Sequence, residues 1–147
     1  MRAVIQRSKQ ASVKIDNKII STIDKGLVVF VAIRFDDTQK DIEYMAKKIA
    51  GIRIFEDETG KMNNDIKSIN GQILAVSNFT LYGDMSHGYR PGFTESMMPP
   101  RAEDMYNQFI EELKKYNIEV VTGRFGADMQ VSIINDGPVT IIIDSKR

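Results

Sequence analysis

The hydroxyls of Ser77 and Thr80 stand three residues apart, around Asn78 and Phe79, directly after the apolar run Ile73-Leu74-Ala75-Val76. A hydroxyl becomes a nucleophile when an adjacent base takes its proton. The chain has one histidine, His87, and no cysteine. A Ser-His-Asp mechanism would have to run through His87 alone, and no triad partner for it is visible. Thiol chemistry, disulfides and cysteine metal sites are excluded. A catalytic zinc usually takes several His and carboxylate ligands, so no metal and no cofactor is expected. Two other features stand out: the dipeptide Gly137-Pro138, and Met129 with Arg90 in glycine-rich surroundings. Each has a plain reading. Ser77 to Thr80 reads as a polar strand end, with hydroxyls bonding backbone. Asp136-Gly137-Pro138 reads as a turn between strands. Met129 suits a core gap, Arg90 an exposed surface, and His87 a loop.

These residues sit in an ordinary globular composition. The chain has 147 residues, 42% apolar and 27% charged, a length that suits one domain over 1–147 and a full core. Lys plus Arg and Asp plus Glu are both 20. The resulting neutrality argues against general nucleic-acid binding, which depends on phosphate neutralisation, and leaves room for a local basic rim. No DNA partner is expected. No apolar run reaches membrane-spanning length, and Met1 to Arg7 lacks an apolar signal segment. The expected setting is the cytoplasm, with no membrane partner.

The elements that must position the candidate residues follow from periodicity. Arg2–Arg7, Ala11–Ile15 and Lys18–Ile23 are short and β-prone, with a turn at Asp16-Asn17. Leu27 to Ile33 is continuously apolar and predicts a strand buried on both faces. Thr38 with Asp41 predicts a helix N-cap, and Ile42, Met45, Ala46, Ile49 and Ala50 give the helix one buried stripe that ends near Gly51. A strand is expected over Ile52–Phe55 and a turn over Asp57–Asn64. Gln72–Val76 is another strand, running into Ser77–Leu81. Residues 83–100, rich in Gly and Pro, predict a long functional loop. Arg101–Tyr116 is a second helix with Pro100 near its start. Glu119–Thr122, Gln130–Ile134 and Val139–Asp144 complete the strands. Many strands and two main helices predict an α+β fold, a mostly antiparallel β-sheet or barrel.

Three segments together resemble the D-aminoacyl-tRNA deacylase family. Ser77-Asn78-Phe79-Thr80-Leu81-Tyr82 is similar to its Ser-Gln-Phe-Thr-Leu motif. Gly88-Tyr89-Arg90-Pro91-Gly92-Phe93 is similar to its Gly-x-Arg-Pro-x-Phe loop. Gly123-Arg124-Phe125-Gly126-Ala127-Asp128-Met129, followed by Asn135-Asp136-Gly137-Pro138-Val139-Thr140, resembles its most specific signature. Length and the opening Met1-Arg2-Ala3-Val4-Ile5-Gln6-Arg7 extend the likeness over nearly the whole chain. The chain departs from the family in three places. Asn78 stands where glutamine is usual, which keeps the amide but shortens it by one methylene. His87 stands where lysine is common, and Gly92 where serine is.

The resemblance implies hydrolysis of the ester between tRNA and a D-amino acid or glycine, in a homodimer. It implies that Gly137-Pro138 is cis and reaches the partner subunit's site, where its carbonyls hold the substrate's α-ammonium and bar an L side chain by clash. Glycine, with no side chain, cannot be rejected that way. The Phe79 N–H would be the oxyanion donor, Ser77 would orient the loop, Asn78 would face substrate, Met129 would be a pocket wall, and Arg90 would meet tRNA phosphate. Thr80 is a catalytic candidate with two roles, nucleophile or structural support. The structural role is preferred, because the family relies largely on backbone groups and the 2′-hydroxyl of the terminal adenosine. Two other functions remain open on the residues themselves. One is a noncatalytic β-barrel that binds RNA or protein, although no aromatic-plus-basic stacking motif supports it. The other is a different small-ester hydrolase using Thr80.

Overall fold

Fourteen residues at the N-terminal end, Arg2–Ile15, form one strand, β1, in the computed structural model, which describes residues 1–146. The other strands are β2 (Lys18–Ile23), β3 (Gly26–Ala32), β4 (Phe55–Glu56), β5 (Met62–Asn64), β6 (Gln72–Ser77), β7 (Glu119–Thr122) and β8 (Gln130–Asp144). The helices are α1 (Gln39–Ala50) and α2 (Arg101–Lys114), with a single 3₁₀ turn at Phe79–Tyr82. This is the α+β architecture with two helices expected above. Several boundaries differ from expectation, and the turn expected over Asp57–Asn64 ends in strand β5. β1 and β8 are each continuous where the sequence suggests a pair of strands, and the strand expected at Ile52–Phe55 is the short β4.

The main sheet runs β2-β1-β3-β6-β7, and β8 lies along the other edge of β1. Pairing is antiparallel wherever β1 takes part. β3–β6 and β6–β7 are parallel, because α1 and α2 lie in the crossovers between them. Ser21 Oγ on β2 donates to Thr122 O on β7 at 2.5 Å, so the far strands curl toward each other and the sheet is barrel-like.

Side-chain alternation along β3 explains its continuous apolar sequence. Leu27, Val29 and Val31 join Ile42, Met45, Phe109 and Leu113 in the core between sheet and helices. Val28 instead joins Val13, Ile23, Leu74 and Val76 on the opposite, concave face. Both faces of β3 are thus covered. Gly26 starts the strand where any Cβ would overlap the Gln72 carbonyl. Asp16 and Asn17 turn β1 into β2 with φ of 48° and 63°, the paired left-handed geometry of a tight hairpin that Asn and Asp tolerate. The α1 N-terminus is closed as expected: the Asp41 carboxylate accepts from the Thr38 N–H at 2.8 Å, and Thr38 and Asp41 form a reciprocal box.

Candidate active site

β6 delivers its last residue, Ser77, opposite Val31 of β3. The Asn78 N–H extends that ladder by one bond, to Val31 O at 2.8 Å. The chain then winds into the 3₁₀ turn. Leu81 N–H donates to Asn78 O at 3.3 Å, and Gly83 N–H to Thr80 O at 2.9 Å. Ser96 Oγ donates to Phe79 O at 3.0 Å. Arg2 fixes the far end: its guanidinium lies 4.7 Å from the Tyr82 ring centre, donates to Leu81 O at 3.1 Å and pairs with Asp144 at 2.8 Å. The turn is therefore held through its carbonyls. Its first N–H groups, those of Phe79 and Thr80, donate to no acceptor among the described residues, as the opening of any helical turn dictates.

Beside this turn lies a cavity of about 530 Å³, within the range that holds small ligands. Ser77, Asn78 and Phe79 form one part of its lining. Phe125 to Met129 supply a second, and Phe93 with Ser96 to Pro99 a third. The surface is mainly apolar, with Phe30, Phe79, Phe93 and Phe125 all contributing. Asp128 is the one ionisable side chain in the lining. Phe79 and Phe93 meet edge to face, with ring centres 5.0 Å apart, a favoured aromatic geometry. Gly123 leaves room for the Met129 sulfur, into which a Cβ at 123 would run.

Four of the candidate residues, Ser77, Asn78, Phe79 and Met129, come together in this lining. Thr80 lies outside it and is exposed. Its hydroxyl donates to Asn78 Oδ1 at 2.5 Å, so it is held by an amide rather than a base. His87 and Arg90 are exposed in the loop after the turn, outside the cavity. Gly137 and Pro138 are exposed on β8 and do not line the cavity of their own chain. Their peptide bond is cis, as is Pro99–Pro100, which the sequence reading did not single out. Among the described residues no group of His, Asp or Glu is arranged to hold a metal ion.

The Gly137-Pro138 segment is mounted with care. The β1–β8 register jumps from Gln6↔Thr140 to Ser8↔Asn135, so extra β8 residues loop out opposite Arg7. Asn135 Nδ2 ties that loop closed, donating to Arg7 O at 3.0 Å and Val139 O at 3.1 Å. The Arg7 side chain, 8% exposed, donates from Nε to Asp136 O at 2.9 Å and from Nη1 to Ile54 O at 2.7 Å. A Cβ on Gly137 would strike the Val139 nitrogen and the Asn135 amide oxygen. Sequence reasoning missed this bracing, since Arg7 is an isolated charge in a β-prone stretch. It also missed Phe30 and Asp128, although the motif around Met129 contains the latter.

Comparison with known proteins decides the family. A model described as D-Tyr-tRNA(Tyr) deacylase matches residues 4–144. A D-aminoacyl-tRNA deacylase of Thermosipho africanus is 51% identical over 147 residues, covering 100% of this chain and 99% of its own. The chain belongs to the D-Tyr-tRNA(Tyr) deacylase family. Another D-aminoacyl-tRNA deacylase, of Bacillus anthracis, is 53% identical over 146 residues, 99% of this chain and 100% of the other. Among solved structures, a c-Myc DNA Unwinding Element Binding Protein superposes with a TM-score of 0.92 at 42% identity, covering 98% of each chain. One described as a probable eukaryotic D-amino acid tRNA deacylase superposes at 0.84 with 16% identity, covering 97% of each, and shares the fold. In this deacylase-family chain, all three segments that carry the resemblance reach one cavity, through Ser77 to Phe79, Phe93, and Phe125 to Met129.

Proposed function

We propose that the chain hydrolyses the ester of D-aminoacyl-tRNA, releasing the D-amino acid and free tRNA. The observation that carries the chemistry is the Phe79 N–H, which has no acceptor among the described residues and belongs to a residue lining a largely apolar cavity. Water adds to the ester carbonyl, and the oxygen that gains charge is stabilised by that N–H, assisted by the N–H of Thr80. The tetrahedral intermediate collapses as the adenosine oxygen leaves and takes a proton. Ser77 ends β6 and sets the turn's direction, Asn78 buttresses Thr80, and Met129 forms the facing wall. Thr80 has a structural role, because its hydroxyl is bonded to an amide and His87 lies outside the cavity. The 2′-hydroxyl of the terminal adenosine is left as the group that moves the proton.

Chirality is read by a second copy of the chain. Gly137-Pro138 is exposed and does not line its own chain's cavity, while β8, which among the described residues pairs only with β1, leaves an open edge bearing Ile134 at 55% and Ile142 at 63% exposure. An unpaired edge of this length favours association. In a homodimer the carbonyls of 137 and 138 hold the substrate's α-ammonium and block an L side chain, so glycyl-tRNA is cleaved as well. Arg90 meets tRNA phosphate, and the setting is the cytoplasm. No helix among the described residues is long and apolar enough to cross a membrane.

Purified protein mixed with D-tyrosyl-, glycyl- and L-tyrosyl-tRNA should deacylate the first two and spare the third. Inertness toward all three, in a protein shown to be folded, overturns the proposal. Light scattering should give a dimer; a fully active monomer would remove the cross-subunit reading alone.

A further inference from the structure

Between the 3₁₀ turn and α2 the chain makes a clamped loop. Asp84 and Gly92 exchange both backbone hydrogen bonds, at 2.8 and 2.9 Å. Asp84 also accepts from the Ser86 N–H and hydroxyl, both at 2.9 Å, which fixes the first leg and occupies the loop's one carboxylate. Phe93, just beyond the clamp, lines the cavity and meets Phe79. The loop therefore projects from the cavity rim on a defined base. Its tip bears a tyrosine that no described residue covers: Tyr89 is 101% exposed, beside Met85 at 52%. Gly88, with a φ of 118°, precedes it. His87 and Arg90 flank it, exposed, and among the described residues neither makes a salt bridge.

We propose that Tyr89 is a stacking platform for the unpaired nucleotide preceding the terminal adenosine of the charged RNA, with the Arg90 guanidinium meeting the adjoining phosphate. The inference rests on the deacylase reading and deepens it. An aromatic ring held in water at a clamped tip, next to unpaired cationic charge, has the composition of a single-strand binding surface, where bases stack on rings and phosphates meet arginine. Continuity with the cavity selects the occupant. If the esterified nucleoside enters between Phe79 and Phe125, the strand attached to it must leave past the rim that Phe93 and the loop define. The chain as a whole is neutral, so affinity for a polyanion has to come from local contacts of this kind rather than from a general field.

The test compares two substrates that differ in the strand alone: D-tyrosyl-tRNA, and the minimal ester D-tyrosyl-adenosine, which has no preceding nucleotide. Tyr89→Ala should raise KM for the charged tRNA about thirtyfold, the middle of the range for one lost stack, with kcat unchanged. Tyr89→Phe keeps the ring and should match the parent. With the minimal ester, Tyr89→Ala should also match the parent. An unchanged KM for charged tRNA overturns the proposal, and so does an equal loss on both substrates, which would mean that the loop shapes the cavity instead. A change of oligomeric state in Tyr89→Ala would assign the tip to a protein contact and likewise overturn it. Should the parent cleave neither substrate, the deacylase reading fails on its own. Filter binding of uncharged tRNA then still decides the stacking, because Tyr89→Ala must weaken it.

Discussion

Replacing Arg7 with methionine keeps much of the side chain's length and removes its guanidinium. In the parent that group is nearly sealed from solvent, and it satisfies the carbonyls of Asp136 and Ile54 at 2.9 and 2.7 Å. The Asp136 carboxylate is 3.2 Å from Nε. The Glu56 pair, at 3.9 Å with Glu56 59% exposed, contributes little. Each carbonyl that loses its donor while staying buried costs about 1–3 kcal/mol. Two of them, set against the apolar packing that methionine restores, give a loss of about 3 kcal/mol. For a chain of this length that corresponds to a melting temperature lower by about 10 °C. A functional loss should accompany it. Arg7 holds the loop that bears Gly137-Pro138 from one side and Asn135 from the other, so its removal leaves the proposed filter on one tether. The ratio of D- to L-tyrosyl-tRNA hydrolysis should therefore fall by more than the D rate itself. Calorimetry and paired deacylation assays read the two effects. A melting temperature within about 2 °C of the parent, less than 1 kcal/mol by the same scaling, would show that those carbonyls do not depend on the guanidinium, and the bracing argument would fail.

Phe79→Pro removes the N–H assigned to the oxyanion, and kcat should drop by about 10²–10³; Phe79→Ala keeps the N–H and should lose much less, so equal losses would shift the role to the ring. Thr80→Ala should cost less than about 10², the least expected when a general acid or base is lost, and a fall to background would restore Thr80 as nucleophile. Asp41→Asn tests the α1 cap by pH. Burial alone would push the Asp41 carboxyl up, but hydrogen bonds from Ser145, Thr38 and Lys146 outweigh it and hold the group at about 2. A depressed carboxyl stabilises the fold above its unfolded value and loses that contribution as pH falls toward 2. The parent should thus exceed Asp41→Asn by about 2 kcal/mol near neutrality, a gap that closes in acid. Neighbouring Asp37 is pushed up chiefly by its burial and also by the Asp41 charge, so Asp41→Asn relieves it in part and narrows the gap without removing its pH dependence; a gap independent of pH would refute the assignment.

What could be read from sequence was what local periodicity encodes. The run Leu27–Ile33 predicts a doubly buried strand and is one, because helices cover one face and the concave cluster the other. Thr38 and Asp41 announce the α1 cap, and the α2 stripe falls on Ala102, Met105, Tyr106, Phe109, Ile110 and Leu113 as expected. Pairing partners were harder to see. Ser8-Lys9-Gln10 interrupts the apolar pattern of β1, yet the strand continues because β8 pairs across the break with a shifted register. The β4–β5 hairpin, inserted between α1 and β6, disguises the crossover that makes β3 and β6 parallel. At the site, the motif residues 77–79 and 129 were legible because they sit in short recognisable segments. Arg7, Asn135 and Phe30 were not, since their roles arise from contacts across the sheet that no local pattern records.

Asn78 shows why a shortened side chain can be accepted at such a site. Its main chain performs the positioning: the N–H continues the ladder to Val31, and the carbonyl receives Leu81 to close the 3₁₀ turn. The amide side chain makes one protein contact within the turn, to the Thr80 hydroxyl. Replacing glutamine by asparagine therefore alters the reach of a buttress while leaving the frame and its free N–H groups in place. Any residue other than proline supplies the same N–H and C=O. A reaction that depends on those groups tolerates side-chain change at the positions that carry them and fails where the backbone path changes. That places the sensitive positions away from the cavity, at the groups that fix the path: Arg2 under the turn, and Arg7 with Asn135 under the Gly137-Pro138 loop.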